Sequence, residues 1–228
     1  MARFGKKYNE IKAKAPKEIQ EISDAIEFLK ANPVAKFDET VEIGIRLGID
    51  PKKTELTVRG TVTLPHGTGK KVKVLVFASG PAADAAKEAG ADFVGNEDMI
   101  EKVKGGWTDF DVAIATPEAM KEVRKLGRVL GPRGLMPNPK TGTVSDDTAT
   151  AVNQSKSGKL EFRMDRHGNV NVPAGKLSFE SEQLIENVNA VIEAVKMEKP
   201  AGAKGAYLKK CTVSTTMGVG LAVNVKDS

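Results

Sequence analysis

The spacing of apolar residues changes twice along this 228-residue chain, and no other feature of the sequence restricts its fold as strongly. Between residues 72 and 126, short apolar runs of strand length alternate with segments that have helical spacing. The predicted strands and helices are, in order, Val72–Ala78, Ala82–Ala89, Ala91–Val94, Asn96–Lys104, Asp111–Ala115 and a helix capped by Thr116 that ends before Gly127. Alternation of this kind predicts a small parallel sheet covered by helices.

Both ends of the chain instead alternate apolar and polar residues with a period of two, which is typical of strands that have one face on a core and one in water. The predicted strands are Val41–Leu47, Leu56–Leu64, Leu160–Met164, Val170–Val172, Ala206–Thr215 and Leu221–Val225. The turn His167–Asn169 predicts a hairpin between the third and fourth of these strands. Two helices complete the ends, Ile19–Leu29 and a second one with an apolar stripe from Leu184 to Val195.

Neither end has enough helices and strands to form a domain by itself. We therefore predict an α/β fold class with two domains: a discontinuous α+β domain from residues 1–67 plus 160–228, and an α/β domain inserted at 68–159. The connections fall near His66–Gly69 and Ser155–Lys159, where short polar and glycine-containing segments join the two patterns.

Composition restricts the setting and the partner. The longest apolar run, Val74–Ala78, is far shorter than the roughly 20 residues that cross a bilayer, so no membrane partner is expected. We read no secretion signal, and the lone Cys211 excludes an internal disulfide, so a cytoplasmic location is expected. The net charge of +5 and pI near 9.1 suit a polyanionic partner.

The signatures of common catalytic sites are missing, so we predict that the chain is not an enzyme and needs no metal or cofactor. Gly67–Lys71 resembles a phosphate-binding loop, but Leu64 stands where that motif needs glycine and Lys71 where it needs Ser or Thr. His66 and His167 lie far apart and lack metal-ligand spacing. One alternative stays open: a metabolite-binding α/β protein or enzyme that uses the middle domain near Ser79–Gly80 or Thr116–Pro117.

Two segments concentrate positive charge, Arg3–Lys17 and Lys121–Lys140, each with six basic residues against one acidic residue. The second includes Leu130–Gly142, in which three Pro and three Gly besides Arg133 and Lys140 favour an irregular loop. Such a loop is either a rigid connector or a presented surface that directs Arg133 and Lys140 at phosphates. The composition of the loop supports the two interpretations about equally.

A second candidate site combines the start of one strand, Lys36–Glu42, with a polar turn, Ser214–Gly218. Base rates favour a packing role for Phe37 and Met217. The alternative is recognition of RNA, in which backbone amides and Thr hydroxyls hold sugar or phosphate, Phe37 or Met217 packs on a base or ribose, and Glu42 accepts from base amino groups.

Four sequence motifs resemble those of a known protein family. The segments Ala35–Glu42 (AKFDETVE), Val58–Gly67 (VRGTVTLPHG), Lys125–Lys140 (KLGRVLGPRGLMPNPK) and Ser214–Gly218 (STTMG) resemble the bacterial large-subunit ribosomal protein L-one family, in the same order and across essentially the whole chain. The resemblance implies the discontinuous RNA-binding domain and the inserted, Rossmann-like α/β domain described above.

The resemblance also implies a function and its residues. Proteins of this family bind large-subunit rRNA at the mobile side stalk, assist release of deacylated tRNA from the exit site, and repress translation of their own mRNA. Carried onto this sequence, the RNA contact falls on Lys36, Phe37, Thr40, Glu42, Arg163, Ser214, Thr216, Met217 and Gly218. Arg133 and Lys140 are implied as a secondary RNA contact.

Overall fold

A computed structural model describes residues 5–51, 56–203 and 205–225, and it mixes helices with strands as the predicted α/β class requires. The chain forms two compact units: unit 1 contains residues 1–69 and 160–228, and unit 2 contains residues 70–159. The predicted first boundary, after Gly67, lies two residues before this division.

The described strands, in chain order, are β1 (Thr40–Leu47), β2 (Arg59–Thr63), β3 (Val74–Phe77), β4 (Phe93–Gly95), β5 (Val112–Ala115), β6 (Lys159–Arg163), β7 (Asn169–Lys176), β8 (Leu208–Thr215) and β9 (Leu221–Val223). The α-helices are α1 (Lys6–Lys14), α2 (Ile22–Ala31), α3 (Pro81–Glu88), α4 (Glu97–Lys104), α5 (Met120–Val123), α6 (Gly127–Leu130), α7 (Thr148–Lys156) and α8 (Ser181–Met197). Arg124–Leu126 and Pro139–Thr141 are 3₁₀ turns.

The main sheet of unit 1 is antiparallel, in the order β7-β1-β8-β9, and a second sheet pairs β2 with β6. Helices α2 and α8 pack against the main sheet. Every second residue of β1, from Val41 to Leu47, is buried beneath them, while Glu42 and Arg46 on the opposite face are exposed. One face of the sheet is therefore core, and the other is open and polar.

Helix α8 is the longest in unit 1, and its sequence explains both its start and its orientation. Glu180 and Gln183 form a capping box in which each side chain bonds the other residue's backbone N–H. Its buried stripe of apolar residues, spaced three or four apart, faces the sheet: Leu184, Val188, Val191, Ile192 and Val195.

Unit 2 has a parallel sheet in the order β4-β3-β5 that is covered on both faces. All four residues of the central strand β3 are buried. Val74 and Val76 pack with Ala86 of α3 and Val152 of α7 on one side of this strand. On the other side, Leu75 and Phe77 pack with apolar residues of α4, α5 and α6 and of the intervening 3₁₀ turn. This two-sided burial explains the near-continuous apolar runs in the sequence.

One prediction for the chain ends is wrong, and a predicted helix is present but starts later than predicted. Strands β6 and β7 do not form a hairpin: the turn after Asp165 is present, but β6 pairs with β2 whereas β7 pairs with β1. The helix predicted from Ile19 begins only at Ile22, because the Gln20 backbone bonds to the edge of the sheet beside β9. Gln20 N donates to Ala222 O at 2.9 Å, and Asn224 N donates to Gln20 O at 2.8 Å.

The helices also differ from prediction in three places. Gly127 does not end a helix but begins α6, because buried Leu126 and Leu130 continue the apolar stripe past it. Helices α1 and α7 were not predicted; α1 buries only Ile11, and α7 begins where the Asp147 side chain accepts from Thr150 N. Among the described residues, no helix is both long and apolar enough to cross a lipid bilayer.

Candidate nucleic-acid interface

The open face of the unit 1 sheet presents three rows of side chains across neighbouring strands. Register places Glu42 of β1 opposite Ser214 of β8, and Arg46 opposite Lys210. On the other side of β1, Asn169 lies opposite Arg46. One surface therefore carries carboxylate, hydroxyl, amide and cationic groups. It can donate and accept hydrogen bonds, and it has charges of both signs. We call this surface the polar face; it consists of Glu42, Gly44, Arg46, Asn169, Asn171, Lys210, Thr212 and Ser214.

Gly44 makes the centre of the polar face concave. Its neighbours across the sheet are Asn171 and Thr212, and a Cβ at residue 44 would lie 2.9 Å from Asn171 Oδ1. The missing side chain contributes to a shallow depression of about 290 Å³ that is lined by the polar face. A ligand group can thus approach the backbone at this point, which is a common use of glycine within strands.

Glu39 joins two segments of unit 1 at one end of the polar face. Its side chain is fully buried. Oε1 accepts hydrogen bonds from Val34 N at 2.9 Å and Ala35 N at 2.7 Å, and Oε2 accepts from Met217 N at 3.1 Å. One carboxylate therefore fixes both the loop that precedes β1 and the turn that follows β8, and we call this arrangement the Glu39 clamp.

The hydrogen bonds of the clamp keep Glu39 ionised. Burial by itself raises the pKa of a carboxyl group. Here the N–H of Ala35, the hydroxyl of Thr215 and the N–H groups of Met217 and Val34 offset that effect, so the pKa of Glu39 lies below its ordinary value of 4.5. A buried carboxylate that is fully hydrogen-bonded in this way is a structural anchor.

The turn after β8 is held to β1 by hydrogen bonds at Thr216. Thr40 N donates to Thr216 Oγ1 at 2.9 Å, and Thr216 N donates to Thr40 O at 3.0 Å. Gly218 N donates to Thr215 O at 3.1 Å, and a Cβ on Gly218 would lie 2.1 Å from Thr215 Oγ1. This close approach requires glycine at 218 and brings the turn tightly against the sheet.

The segment before β1 is fixed on its other side by β7 and the loop that follows it. Asp38 accepts from Ser178 N at 3.1 Å and from the Ser178 hydroxyl at 2.8 Å. Lys176 Nζ donates to Thr40 Oγ1 at 2.9 Å. Together with the clamp, these contacts give the exposed residues between Ala35 and Asp38 a defined position.

Two large apolar side chains project into solvent from the clamped segments. Phe37 is 58% exposed and Met217 is 54% exposed, although both flanking backbones are held by hydrogen bonds. Neither side chain lies in the core, which removes that part of the packing interpretation. An exposed ring and an exposed thioether, carried by hydrogen-bonded backbone segments beside a polar sheet, form a surface on which an unstacked base or a ribose can pack.

The structure brings most of the predicted site residues together. Lys36 and Phe37 lie in the loop before β1, and Thr40 and Glu42 lie in its first three residues. The remaining four of this group belong to β8 and its turn: Ser214, Thr216, Met217 and Gly218. Arg163 lies apart from them on β6, in the two-stranded sheet.

The secondary contact belongs to unit 2. Arg133 is exposed and its guanidinium donates to the hydroxyl of Thr108. Lys140 lies in the 3₁₀ turn Pro139–Thr141, and its side chain is outside the described residues. Around it, Asn138 N donates to Thr143 Oγ1 at 2.8 Å and the Thr141 hydroxyl donates to Asn138 O at 2.9 Å, so the backbone of the loop is fixed.

Sequence reasoning missed Glu39 and most of the polar face. The period of two in β1 was enough to place Gly44 and Arg46 on the same side as Glu42. It did not show which strands pair with β1, so Asn169, Asn171 and Lys210 were not recognised as their neighbours. Glu39 gave no signal, because a glutamate before a strand is ordinarily exposed.

Unit 2 contains a cavity of about 500 Å³ at the carboxyl ends of β3 and β5, where the alternative metabolite site was expected. It is lined by Ser79, Pro81 and Thr116 together with the carboxylates of Glu118 and Asp146. The Thr116 hydroxyl already accepts from Ala119 N at 3.4 Å. Its two carboxylates make the cavity a poor site for a phosphate or another anion. Within the described ranges, no three His, Cys, Asp or Glu side chains are grouped for metal binding.

Comparison with known proteins gives a consistent result. A model of the "Ribosomal protein L1p/L10e family" matches residues 29–219. The chain is 54% identical over 207 residues to "Large ribosomal subunit protein uL1" of Protochlamydia amoebophila, which covers 91% of this chain and 88% of that protein. It is 57% identical over 205 residues to the protein of the same name from Clavibacter michiganensis subsp. michiganensis, which covers 90% of each chain.

These matches confirm the resemblance predicted from the four sequence motifs. They also confirm the prediction that the chain is not an enzyme, because the matching proteins are named as ribosomal proteins. The family model spans all of unit 2 and part of unit 1, including the Glu39 clamp and the polar face. The chain therefore belongs to the ribosomal protein L1p/L10e family.

Proposed function

We propose that this chain is a structural protein of the large ribosomal subunit and binds ribosomal RNA at the mobile side stalk through unit 1. Its location is then the cytoplasm, on the ribosome. The observation that carries the proposal is the Glu39 clamp, which fixes exposed Phe37 and Met217 beside the polar face. Exposed apolar side chains rimmed by polar residues are typical of an interaction site.

The groups on this surface match the chemistry of folded RNA. Unstacked bases stack on aromatic side chains, which Phe37 provides, and Met217 adds a second exposed apolar surface. Glu42 accepts from base amino groups, and Ser214 bonds to ribose hydroxyls or base edges. Lys36 neutralises phosphate nearby. Thr40, Thr216 and Gly218 shape the turn through their hydrogen bonds and close packing.

Arg163 is a peripheral contact in this proposal, since it extends from the second sheet of unit 1. Arg133 and Lys140 of unit 2 are secondary contacts with phosphates. Two further roles follow from the family resemblance. We propose that the chain assists release of deacylated tRNA from the exit site, and that it represses translation of its own mRNA by binding a copy of the ribosomal site.

Binding of a stalk rRNA fragment by the purified chain tests the central claim. A form in which a short flexible linker joins Gly69 directly to Leu160, and so lacks unit 2, is expected to retain most of the affinity. The logarithm of the binding constant is expected to fall with the logarithm of salt concentration by about 0.7 to 0.9 per neutralised phosphate. Loss of nearly all affinity on removal of unit 2, or binding independent of salt, would contradict the proposal.

Competition between RNAs tests the repressor role separately. Because one surface holds one RNA at a time, a leader fragment of the chain's own mRNA is expected to displace the rRNA fragment. The Phe37→Ala variant is expected to lose affinity for both RNAs together. Simultaneous binding of the two RNAs to one protein molecule would contradict a shared site while leaving rRNA binding intact.

A further inference from the structure

A helical segment of unit 2 carries a row of cations that the proposed function does not use. Residues 120–130 form a continuous helical stretch from α5, the 3₁₀ turn Arg124–Leu126 and α6. Val123, Leu126 and Leu130 are completely buried and hold this stretch to the unit 2 core. The basic residues between them are all exposed: Lys121, Arg124, Lys125 and Arg128.

Helical geometry places these four residues on one face. Successive residues turn by about 100°, so the four lie within an arc of about 100° that is opposite the buried stripe. From Lys121 to Arg128 they extend about 10 Å along the axis. We call this row the basic ridge. Because the opposite face is buried, the charged residues of this stretch all lie on its outer side, and all of them except Glu122 are basic.

The ridge is poorly neutralised by the protein itself. In the described part of the chain, its one ion pair joins Lys125 Nζ to Glu122 Oε2 at 2.5 Å, and both side chains are about half exposed. Lys121, Arg124 and Arg128 form no ion pair with described residues. Three neighbouring positive charges on one helix face are therefore available to an external polyanion.

The basic ridge has no large exposed apolar side chain, unlike the surface of unit 1 around Phe37 and Met217. The exposed large apolar side chains of the described residues are Ile19, Phe37, Met197 and Met217, and all of them belong to unit 1. A surface with cations but without exposed rings can contact phosphates and cannot stack on bases. Such a surface binds a nucleic-acid backbone without reading its sequence.

We infer that the basic ridge is a second RNA-binding surface, distinct from the polar face, which contacts the phosphate backbone of an RNA double helix without sequence preference. This inference rests on the proposed function only in that the chain works among RNA molecules. Its ligand is the backbone of any RNA helix that approaches unit 2, rather than the folded rRNA site recognised by unit 1.

The test uses the full chain and an RNA duplex of arbitrary sequence at low salt. The ridge variant, Lys121→Gln with Arg124→Gln and Arg128→Gln, keeps good helix formers at exposed positions. It is expected to bind the duplex about tenfold more weakly, with a salt dependence shallower by about 2 in log–log slope. The charge-preserving pair Arg124→Lys with Arg128→Lys is expected to stay close to wild type.

The matched control removes the same number of charges elsewhere in unit 2, as Lys87→Gln with Lys102→Gln and Lys104→Gln on α3 and α4. It is expected to bind the duplex nearly as well as wild type. Equal losses in the ridge and control variants, or no loss in either, would overturn the inference. So would equal binding of the ridge to polyglutamate, because the surface would then recognise any polyanion.

A second measurement separates this inference from the proposed function. The ridge variant is expected to bind the stalk rRNA fragment with little change, whereas Met217→Ala weakens that binding and leaves duplex affinity unchanged. If the wild-type chain bound the rRNA fragment no more tightly than the arbitrary duplex, and bound both through the ridge, the proposed function would fail and this inference would stand. Amine acylation of Lys121 should also be slowed by the duplex, relative to Lys102.

Discussion

The main sheet of unit 1 and the sheet of unit 2 differ in how many of their faces are covered, and this difference decides which of the two presents an open face of polar side chains. Helices cover one face of the antiparallel sheet in unit 1, which leaves the other face for polar side chains in register. The parallel sheet of unit 2 is buried on both faces, so its exterior consists of helices and loops. Strand pairing fixes the relative positions of neighbouring side chains more tightly than an exposed helix fixes its long Lys and Arg side chains.

This comparison predicts that damage to unit 1 removes recognition, whereas equal damage to unit 2 does not. Glu39→Ala should lower the free energy of unfolding of unit 1 by about 3 kcal/mol, because buried N–H groups lose their acceptor. It should also abolish binding of the rRNA fragment, since both clamped segments are released. Thermal unfolding and RNA titration provide the measurements.

The matched variant for this prediction is Leu75→Ala, which truncates a fully buried residue of β3 in unit 2. It is expected to cost unit 2 about 2 to 5 kcal/mol through lost burial and a cavity. Affinity for the rRNA fragment should remain near wild type at temperatures where unit 2 is still folded. A large loss of RNA binding in this variant would break the distinction between the two units.

The exposed side chains of Phe37 and Met217 provide a second test within unit 1. Met217→Ala and Phe37→Ala should each weaken RNA binding by about 1 to 3 kcal/mol, the usual effect of removing a stacking group. Their stability should change by less than about 0.5 kcal/mol, because both side chains are largely exposed. Met197→Ala is the control: Met197 is 84% exposed at the end of α8, away from the clamp, and its removal should leave affinity unchanged.

The lowered pKa of Glu39 predicts a pH dependence that is specific to unit 1. A carboxyl group whose folded pKa lies below its unfolded value stabilises the fold above that unfolded value, near 4.5. This stabilisation is lost as pH falls from about 4.5 through the lower, folded pKa. Unfolding of wild type and of Glu39→Gln should therefore converge in acid. If both variants keep the same difference in stability at every pH, Glu39 does not titrate as described.

The smallest effect is expected at the centre of the polar face. Gly44→Ala places a methyl group against Asn171 Oδ1, where the amide can rotate away, so stability should change little. The depression becomes shallower, and RNA affinity should fall by about 0.5 to 1 kcal/mol because a close contact is lost. Isothermal calorimetry can resolve this change. An unaltered affinity would show that RNA does not approach the backbone at Gly44.

Local patterns predicted much of unit 2 and of α8. The continuous apolar runs of β3 and β5 indicated burial on two sides, and the stripe from Leu184 to Val195 indicated a helix against a core. The pairing of strands that are distant in the sequence was harder to predict. The turn at His167–Asn169 indicated a hairpin, but β7 instead pairs with β1, more than 120 residues earlier. A turn signal reports on neighbouring residues only and carries no information about a distant partner.

The sequence by itself determined most of the strands and helices, though not α1 and α7, and it determined the family to which the chain belongs and the group of residues around Phe37 and Met217. The tertiary structure alone decided that Glu39 joins residues 34–35 to residue 217, and that Asn171 and Lys210 flank β1. The physical reason is the range of the interactions involved. The spacing of apolar residues and the capping of helices depend on residues a few positions apart in the sequence. The hydrogen bonds of a buried carboxylate and the register of paired strands depend on groups that meet only when the chain has folded.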